Sequence, residues 1–195
     1  SYAGNGANLT NLPSTSTADI RSAATLQITA DDNIGLGTNA VNSITTGDYN
    51  LGFGLNAGTA ITSGSNNIGI GADSLFVNNE GSNNTAVGTN SMRANTTGTG
   101  NVAMGTLAAD ANTTGNYNVA VGRNALGTNI TGSENIASGT EALKVSTGGN
   151  NVAVGFRAGD SVTTGINNVL IGDSAGSNIT SSDNNIIIGR NIDAQ

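Results

Sequence analysis

The chain has 195 residues, a formal net charge of −7 and only six basic residues. So little positive charge argues against nucleic-acid binding and against attraction to an anionic membrane surface. The chain contains neither cysteine nor histidine, so disulfides, thiolate metal sites and imidazole chemistry are excluded, and we expect no cofactor.

The composition predicts a thin, regular scaffold. Aromatic residues make up 3% of the chain and charged residues 10%, while glycine occurs 29 times. These values give too few bulky groups for a wide core and too little charge for a disordered chain. No apolar run is long enough to cross a membrane, and no signal segment is visible at the N-terminus.

Residues 1–32 precede the repetitive part of the chain and are expected to form a linker or cap. They end in an adjacent acidic pair, Asp31 and Asp32. Two carboxylates side by side are typical of a solvated cap, and a calcium site is the alternative interpretation.

One unit is repeated ten times between Asn33 and Gly189, with the last copy truncated. Each unit starts with an asparagine, and consecutive first asparagines are seventeen residues apart except for one interval of sixteen. A unit of this size cannot enclose a core alone, so the sequence predicts an all-β, parallel β-solenoid with one coil per unit. We expect the asparagine column to satisfy backbone groups at a corner or to form an amide ladder, with ligand binding as the alternative. The first-position asparagines are Asn33, Asn50, Asn67, Asn84, Asn101, Asn118, Asn135, Asn151, Asn168 and Asn185.

Positions 2 to 4 of each unit predict a short strand. Positions 2 and 4 carry mostly large apolar residues, and position 3 is almost always alanine or glycine, as in Val119-Ala120-Val121. Such alternation places the large side chains on one face and the small ones on the other. We expect the large face, helped by positions 8 and 9, to fill the coil interior, with Phe53 in the core.

Glycines mark two corners in each unit. The first glycine is at position 5, and the second, at position 15, is present in every full unit except the ninth, which has Ser182. The sixteen-residue unit has lost one residue in the variable stretch before this second corner. A deletion at a bend is tolerated in a solenoid, whereas one inside a strand would flip its side chains to the opposite face. The glycines of position 5 are Gly37, Gly54, Gly71, Gly88, Gly105, Gly122, Gly139, Gly155, Gly172 and Gly189.

Charged residues between Asn33 and Gly189 fall only at positions 6, 7, 10, 14, 16 and 17, which predicts solvated bends. Acids and bases often occupy neighbouring units, so we expect weak surface ion pairs between coils. The candidate groups are Arg93 with Asp110, Lys144 with Asp160, and Arg157 with Glu141 and Asp173.

Each coil is too small to be stable alone. At about 25 cal/mol per Å², the few apolar side chains inside it hardly offset the entropy of ordering the chain. We therefore expect burial against partner chains, with the small residues of position 3 facing outward. The expected partner is the chain itself, in a parallel homotrimer.

The units resemble those of two kinds of fibrous protein. Strands such as "NVAVG" and "NVLIG" are similar to the "SVAIG" strands of trimeric autotransporter adhesin heads, and the whole unit is similar to the Asn- and Gly-rich repeats of phage tail fibres. The resemblance covers residues 33–189 and implies a left-handed, trimeric β-roll with an adhesive or spacer role. The period of seventeen departs from autotransporter heads, where it is shorter. Residues 190–195 are similar to the junction that leads into a cleaved chaperone domain of fibre proteins, so they are expected to be a C-terminal junction.

The sequence thus predicts a non-enzymatic structural segment of an extracellular fibre, in a virion or on a bacterial surface, that acts as a spacer or attaches to a host surface. The alternative is an adhesin head that binds a host glycan or protein through its variable bends. Exposed aromatic rings would serve that purpose, although packing against an adjacent coil explains each ring as well. The candidate ligand contacts are Tyr49, Phe76, Tyr117 and Phe156.

Two further functions are weighed and disfavoured. Threonine pairs such as Thr96-Thr97 suggest an ice-binding face, but adjacent residues point to opposite sides and the column is interrupted. Hydrolysis of a glycan, as in phage tailspikes, needs two carboxylates at a set separation, and the acids here mostly face bases.

Overall fold

The computed structural model describes residues 26–28 and 32–192. Within these residues the chain is all-β, has no helix, and forms one eleven-stranded sheet whose strand order follows the chain. The strands are β1 (Leu26–Ile28), β2 (Ile34–Leu36), β3 (Leu51–Phe53), β4 (Ile68–Ile70), β5 (Thr85–Val87), β6 (Val102–Met104), β7 (Val119–Val121), β8 (Ile136–Ser138), β9 (Val152–Val154), β10 (Val169–Ile171) and β11 (Ile186–Ile188).

Strands β2 to β11 are parallel, and each pairs with the equivalent residues of the next unit. Ala103 lies opposite Ala120, and Ala120 lies opposite Ala137. Each unit therefore forms one coil, which confirms the β-solenoid with coils of about seventeen residues. We number the coils one to ten from Asn33.

The N-terminal edge of the solenoid is covered by β1, which pairs antiparallel with β2. This strand lies in the segment predicted as a linker or cap. Of the acidic pair at its end, Asp32 is exposed, whereas Asp31 lies outside the described residues, so the calcium site stays a prediction.

Backbone hydrogen bonds join consecutive coils along the bends as well as along the strands. The N–H of Val119 donates to the carbonyl of Asn135 at 2.8 Å, that of Leu126 donates to Ala142 at 3.0 Å, and that of Glu134 donates to Asn116 at 2.9 Å. Turn backbone that would otherwise be left unpaired is satisfied by the coil before or after it.

The expected orientation of the strands is wrong. The alanine or glycine at position 3 is buried, as Ala103 and Ala120 show with 0% exposure, whereas the large residues at positions 2 and 4 face outward. Phe53, expected in the core, is 50% exposed. A coil of seventeen residues encloses little space, so most coils bury alanine or glycine at position 3, and only the ninth and tenth described coils bury larger residues there, Leu170 and Ile187.

The interior is filled from the other side of the coil, by positions 8, 9 and 12. In the sixth coil these residues are Ala125, Leu126 and Asn129, all buried. Position 8 contributes small residues, as predicted, and position 9 contributes a large apolar residue in some coils, such as Met92, Leu126 and Leu143. Position 12 was not predicted to be interior.

The two glycine columns are packed backbone against backbone. A Cβ on Gly122, where φ is 131°, would lie 2.5 Å from the carbonyl oxygen of Gly139, and a Cβ on Gly132 would lie 2.3 Å from that of Gly148. Only glycine permits such stacking. Ser182, the exception at position 15, is exposed.

The shortened seventh coil keeps its interior in register. The N–H of Ser146 donates to Leu143 at 3.1 Å, as the N–H of Asn129 donates to Leu126 in the coil before. The missing residue is therefore at position 14, in an exposed bend, as predicted. At the other end, Gly176 donates to the carbonyl of Ile192 at 2.8 Å, so the tenth coil continues beyond Gly189.

Candidate functional surfaces

The asparagines of position 1 form a continuous ladder at the corner before each strand. Asn118 is typical: its N–H donates to Asn101 Oδ1 at 2.9 Å, and its Nδ2 donates to the carbonyl of Gly132 at 2.8 Å. Its Oδ1 in turn accepts from the N–H of Asn135 at 3.0 Å. The predicted ladder is confirmed, and its buried amides are engaged with the chain itself.

A second buried ladder runs through the third to sixth coils at position 12, and the sequence analysis did not predict it. Asn112 Nδ2 donates to Asn95 Oδ1 at 2.9 Å and to the carbonyl of Gly115 at 3.1 Å. Asn129 continues the ladder with a bond to Asn112. It ends between the sixth and seventh coils, where Asn129 Oδ1 of the sixth and Ser146 Oγ of the seventh are buried without a hydrogen-bond partner.

The side chains of positions 2 and 4 form one continuous surface along the solenoid, which we call the outer face. Most of its members are branched aliphatic residues, none is charged, and Thr85 and Ser138 are its two polar members. Exposure reaches 45% at Met104 and 76% at Ile186. The outer face consists of Ile34, Leu36, Leu51, Phe53, Ile68, Ile70, Thr85, Val87, Val102, Met104, Val119, Val121, Ile136, Ser138, Val152, Val154, Val169, Ile171, Ile186 and Ile188.

The four candidate aromatic contacts are not brought together. Tyr49 and Tyr117 occupy the same corner, position 17, but are four coils apart, and they are 61% and 63% exposed. The Tyr117 ring covers Gly100 of the preceding coil, where an added Cβ would meet the ring Cδ1 at 2.7 Å. Phe76 at position 10 is half-buried, whereas Phe156 at position 6 is exposed.

A cluster of charges surrounds Glu141 in the sixth to eighth coils. Its carboxylate accepts from Arg123 Nη2 at 2.9 Å and from Arg157 Nε at 3.0 Å, and Lys144 Nζ lies 3.9 Å away. The bonds from the two guanidinium groups hold the pKa of Glu141 below its ordinary value. Arg157 also lies over the ring of Phe156, 5.1 Å from its centroid.

The predicted ion pairs between coils are thus confirmed in part. Arg157 pairs with Glu141, while Lys144 contacts Glu141 of its own coil and Asp173 pairs with Arg190 at 3.4 Å. The predicted partner of Lys144 was Asp160, and that of Asp173 was Arg157.

The pKa of Asp110, in the fifth coil, is shifted in the opposite direction to that of Glu141. Partial burial raises its pKa, and the charge of Arg93 on the neighbouring coil opposes that shift.

The threonines of position 13 use their hydroxyls inside the fold. Thr96 Oγ1 donates to the carbonyl of Thr113 at 3.0 Å, and Thr113 Oγ1 donates to Ile130 at 3.1 Å. Their hydroxyl protons are therefore directed along the solenoid rather than toward water, which favours a structural role for this column.

Neither a metal-binding cluster of acids nor a membrane-spanning helix is found in the part of the chain that the structure describes. No three or more Asp or Glu side chains there are placed to hold a metal ion. No helix there is long and apolar enough to cross a membrane.

Comparison with known proteins assigns no relative to this chain. No protein family, no curated protein and no solved structure matches it.

Proposed function

We propose that this chain is a non-enzymatic structural rod, one segment of an extracellular fibre, built from three parallel copies that meet through the outer face. The fibre serves as a spacer or as an attachment to a host surface, as the resemblance to tail-fibre and adhesin repeats implies. The observation that carries the proposal is the outer face itself, a long apolar strip without a charge.

The extent of the outer face supports self-association. Two outward side chains on each of the strands β2 to β11 contribute to it. If each exposes on the order of 50 Å², the face offers about 1,000 Å², against the roughly 800 Å² per partner of a stable interface. Apolar strips of this extent are rare on soluble monomers and commonly mark an interaction site.

The repeat favours a copy of the same chain as the partner. Parallel strands are stacked about 4.8 Å apart, so a matching surface must repeat its apolar side chains at that spacing along the whole rod. The outer face of a second copy has this property by construction. Closed assemblies around one axis are also the usual form of homo-oligomers.

The mass of the full chain in solution tests the assembly. Light scattering is expected to give three times the chain mass of 19.2 kDa. Val121→Asp puts a charge on the outer face and should shift the mass toward the monomer, whereas Thr131→Asp, at an exposed bend of the same coil, should leave it unchanged. A monomeric wild-type chain with intact strand signal would refute self-assembly, and a dimer would refute the threefold arrangement.

The exposed tyrosine rings at position 17 favour one alternative, an adhesin whose bends bind a glycan. Screening the full chain against a glycan array separates this role from a pure spacer. Binding that is lost in Tyr117→Ala while the mass is unchanged would support the adhesin. Silence across the array would support the spacer.

A further inference from the structure

Parallel copies of a repetitive rod face a problem of register, and this inference rests on the self-assembly proposed above. Neighbouring coils present nearly the same side chains on the outer face. A copy displaced by one coil would therefore still place aliphatic side chains against aliphatic side chains. Assembly into rods of defined length requires a feature that distinguishes one layer from the next.

The two polar members of the outer face provide such a feature. Thr85 lies at position 2 of the fourth coil and Ser138 at position 4 of the seventh, and both are half-buried. Neither hydroxyl makes a hydrogen bond to the described residues of its own chain. Each is surrounded along its column by aliphatic side chains, namely Ile68 and Val102 beside Thr85, and Val121 and Val154 beside Ser138.

We propose that Thr85 and Ser138 fix the register of the assembly, by requiring each hydroxyl to lie level with the same hydroxyl of the partner chains. In register, the hydroxyls of each layer hydrogen-bond to one another across the interface. After a slip of one or two coils, both hydroxyls are buried against apolar side chains without a partner, which is unfavourable. A single buried polar residue sets the register of coiled coils in the same way.

Met104 offers a native reporter of the register. It lies on the outer face in the fifth coil, between Thr85 and Ser138, whereas the other methionine, Met92, is fully buried inside its own coil. In a chain carrying Met92→Leu, replacing methionine by its diazirine analogue, photo-methionine, therefore places one photoreactive group on the outer face.

The experiment mixes photo-methionine chains with ¹⁵N-labelled chains before assembly, irradiates them, and maps the interchain cross-links by mass spectrometry. In the otherwise wild-type chain, the cross-links should be confined to the fourth, fifth and sixth coils, residues 84–134. In Thr85→Val/Ser138→Val, the fraction of cross-links outside these coils should rise several-fold, while the mass in light scattering stays that of the assembly.

The matched control is Thr89→Val/Thr140→Val, which makes the same kind of change in the same two coils at position 6, off the outer face. Its cross-links should remain confined. Spread cross-links in the assembled wild type or in this control, or confined ones in Thr85→Val/Ser138→Val, would overturn the register proposal while leaving self-assembly intact. A monomeric wild type would overturn both.

Discussion

The middle coils, which are the third to seventh, and the flanking coils, which are the second, eighth and ninth, fill their small interiors with different residue types at positions 9 and 12. In the third to seventh coils, position 12 is asparagine or serine and position 9 is a leucine, methionine or alanine. In the second, eighth and ninth coils, position 12 is isoleucine or valine and position 9 is glycine. The flanking pairs are Gly58 with Ile61, Gly159 with Val162, and Gly176 with Ile179.

Space explains the pairing. A Cβ on Gly58 would lie 2.9 Å from Ile61 Cδ1, and one on Gly176 would lie 2.8 Å from Leu170 Cδ2 and 3.4 Å from Ile179 Cδ1. An asparagine at position 12 turns its amide toward the glycine carbonyl of position 15, which leaves room for a long side chain at position 9. Positions 9 and 12 of one coil therefore vary together, because they share the same space. Each amide of the ladder depends instead on the residue at position 12 of the adjacent coils.

The largest difference between the two regions is expected when position 12 is truncated. Asn95→Ala removes the donor to Asn78 and the acceptor of Asn112 and leaves a void, so it should lower the free energy of unfolding by about 4 kcal/mol. Val162→Ala removes packing only and should cost about 2 kcal/mol. Guanidinium denaturation at one protein concentration compares them, and an equal or reversed order would contradict the polar ladder.

Changing the residue types at positions 9 and 12 of one coil should show directly that the two positions are coupled. Leu143→Gly leaves a cavity and Ser146→Val overfills the coil, whereas the double variant reproduces the Gly159 and Val162 pair of the eighth coil. We expect the double variant to be about 2 kcal/mol more stable than the sum of the single changes predicts. Additive effects in this double-mutant cycle would show that positions 9 and 12 do not compete for space.

Extending the ladder by one coil should have a smaller effect. Ser146→Asn would supply the missing donor to Asn129 Oδ1, so we expect a gain in stability of about 1 kcal/mol. Ser146→Ala is the control, because it removes the unpaired hydroxyl without adding a donor. Thermal unfolding that ranks the asparagine variant no higher than the alanine variant would argue that the ladder has a structural reason to end where it does.

The smallest expected effects are electrostatic, and they have opposite signs at two acids of the middle coils, Glu141 and Asp110. The pKa of Glu141 is lowered from 4.5, so its contribution is present above that value and is lost as the pH falls through the folded-state pKa. The pKa of Asp110 is raised from 3.8, so its ionised form disfavours folding until the pH falls through the folded-state pKa. Between pH 3 and 7, the stability of Glu141→Gln relative to wild type should fall with rising pH, and that of Asp110→Asn should rise. Parallel trends would contradict the assignment.

Much of this architecture is predictable from the sequence because it depends on period alone. The spacing of the asparagines, such as Asn101 and Asn118, determines the stacking, and the glycine columns locate the corners. The side on which the strand packs is not predictable from alternation, since Val119 and Val121 share a face whether it points inward or outward. That choice depends on the volume a coil encloses, which depends in turn on position 12, where a polar residue such as Asn112 is not an obvious interior candidate.

The candidate ligand contacts were less predictable for a different reason. Exposure of Tyr117 follows from its corner position, but its packing over Gly100 depends on the neighbouring coil having no side chain there. The charge cluster at Glu141 spans three coils, and comparison of neighbouring units predicted Arg157 as a partner of Glu141 but not Arg123 or Lys144.

Side-chain amide hydrogen exchange by NMR tests the central claim most directly, namely that stacked asparagine amides form the spine of the solenoid. The Nδ2 protons of Asn118 and Asn112 should exchange only through global unfolding, whereas those of the exposed Asn83 should exchange at the rate of a free amide. Fast exchange at Asn118 and Asn112, indistinguishable from that at Asn83 in the folded protein, would contradict the account.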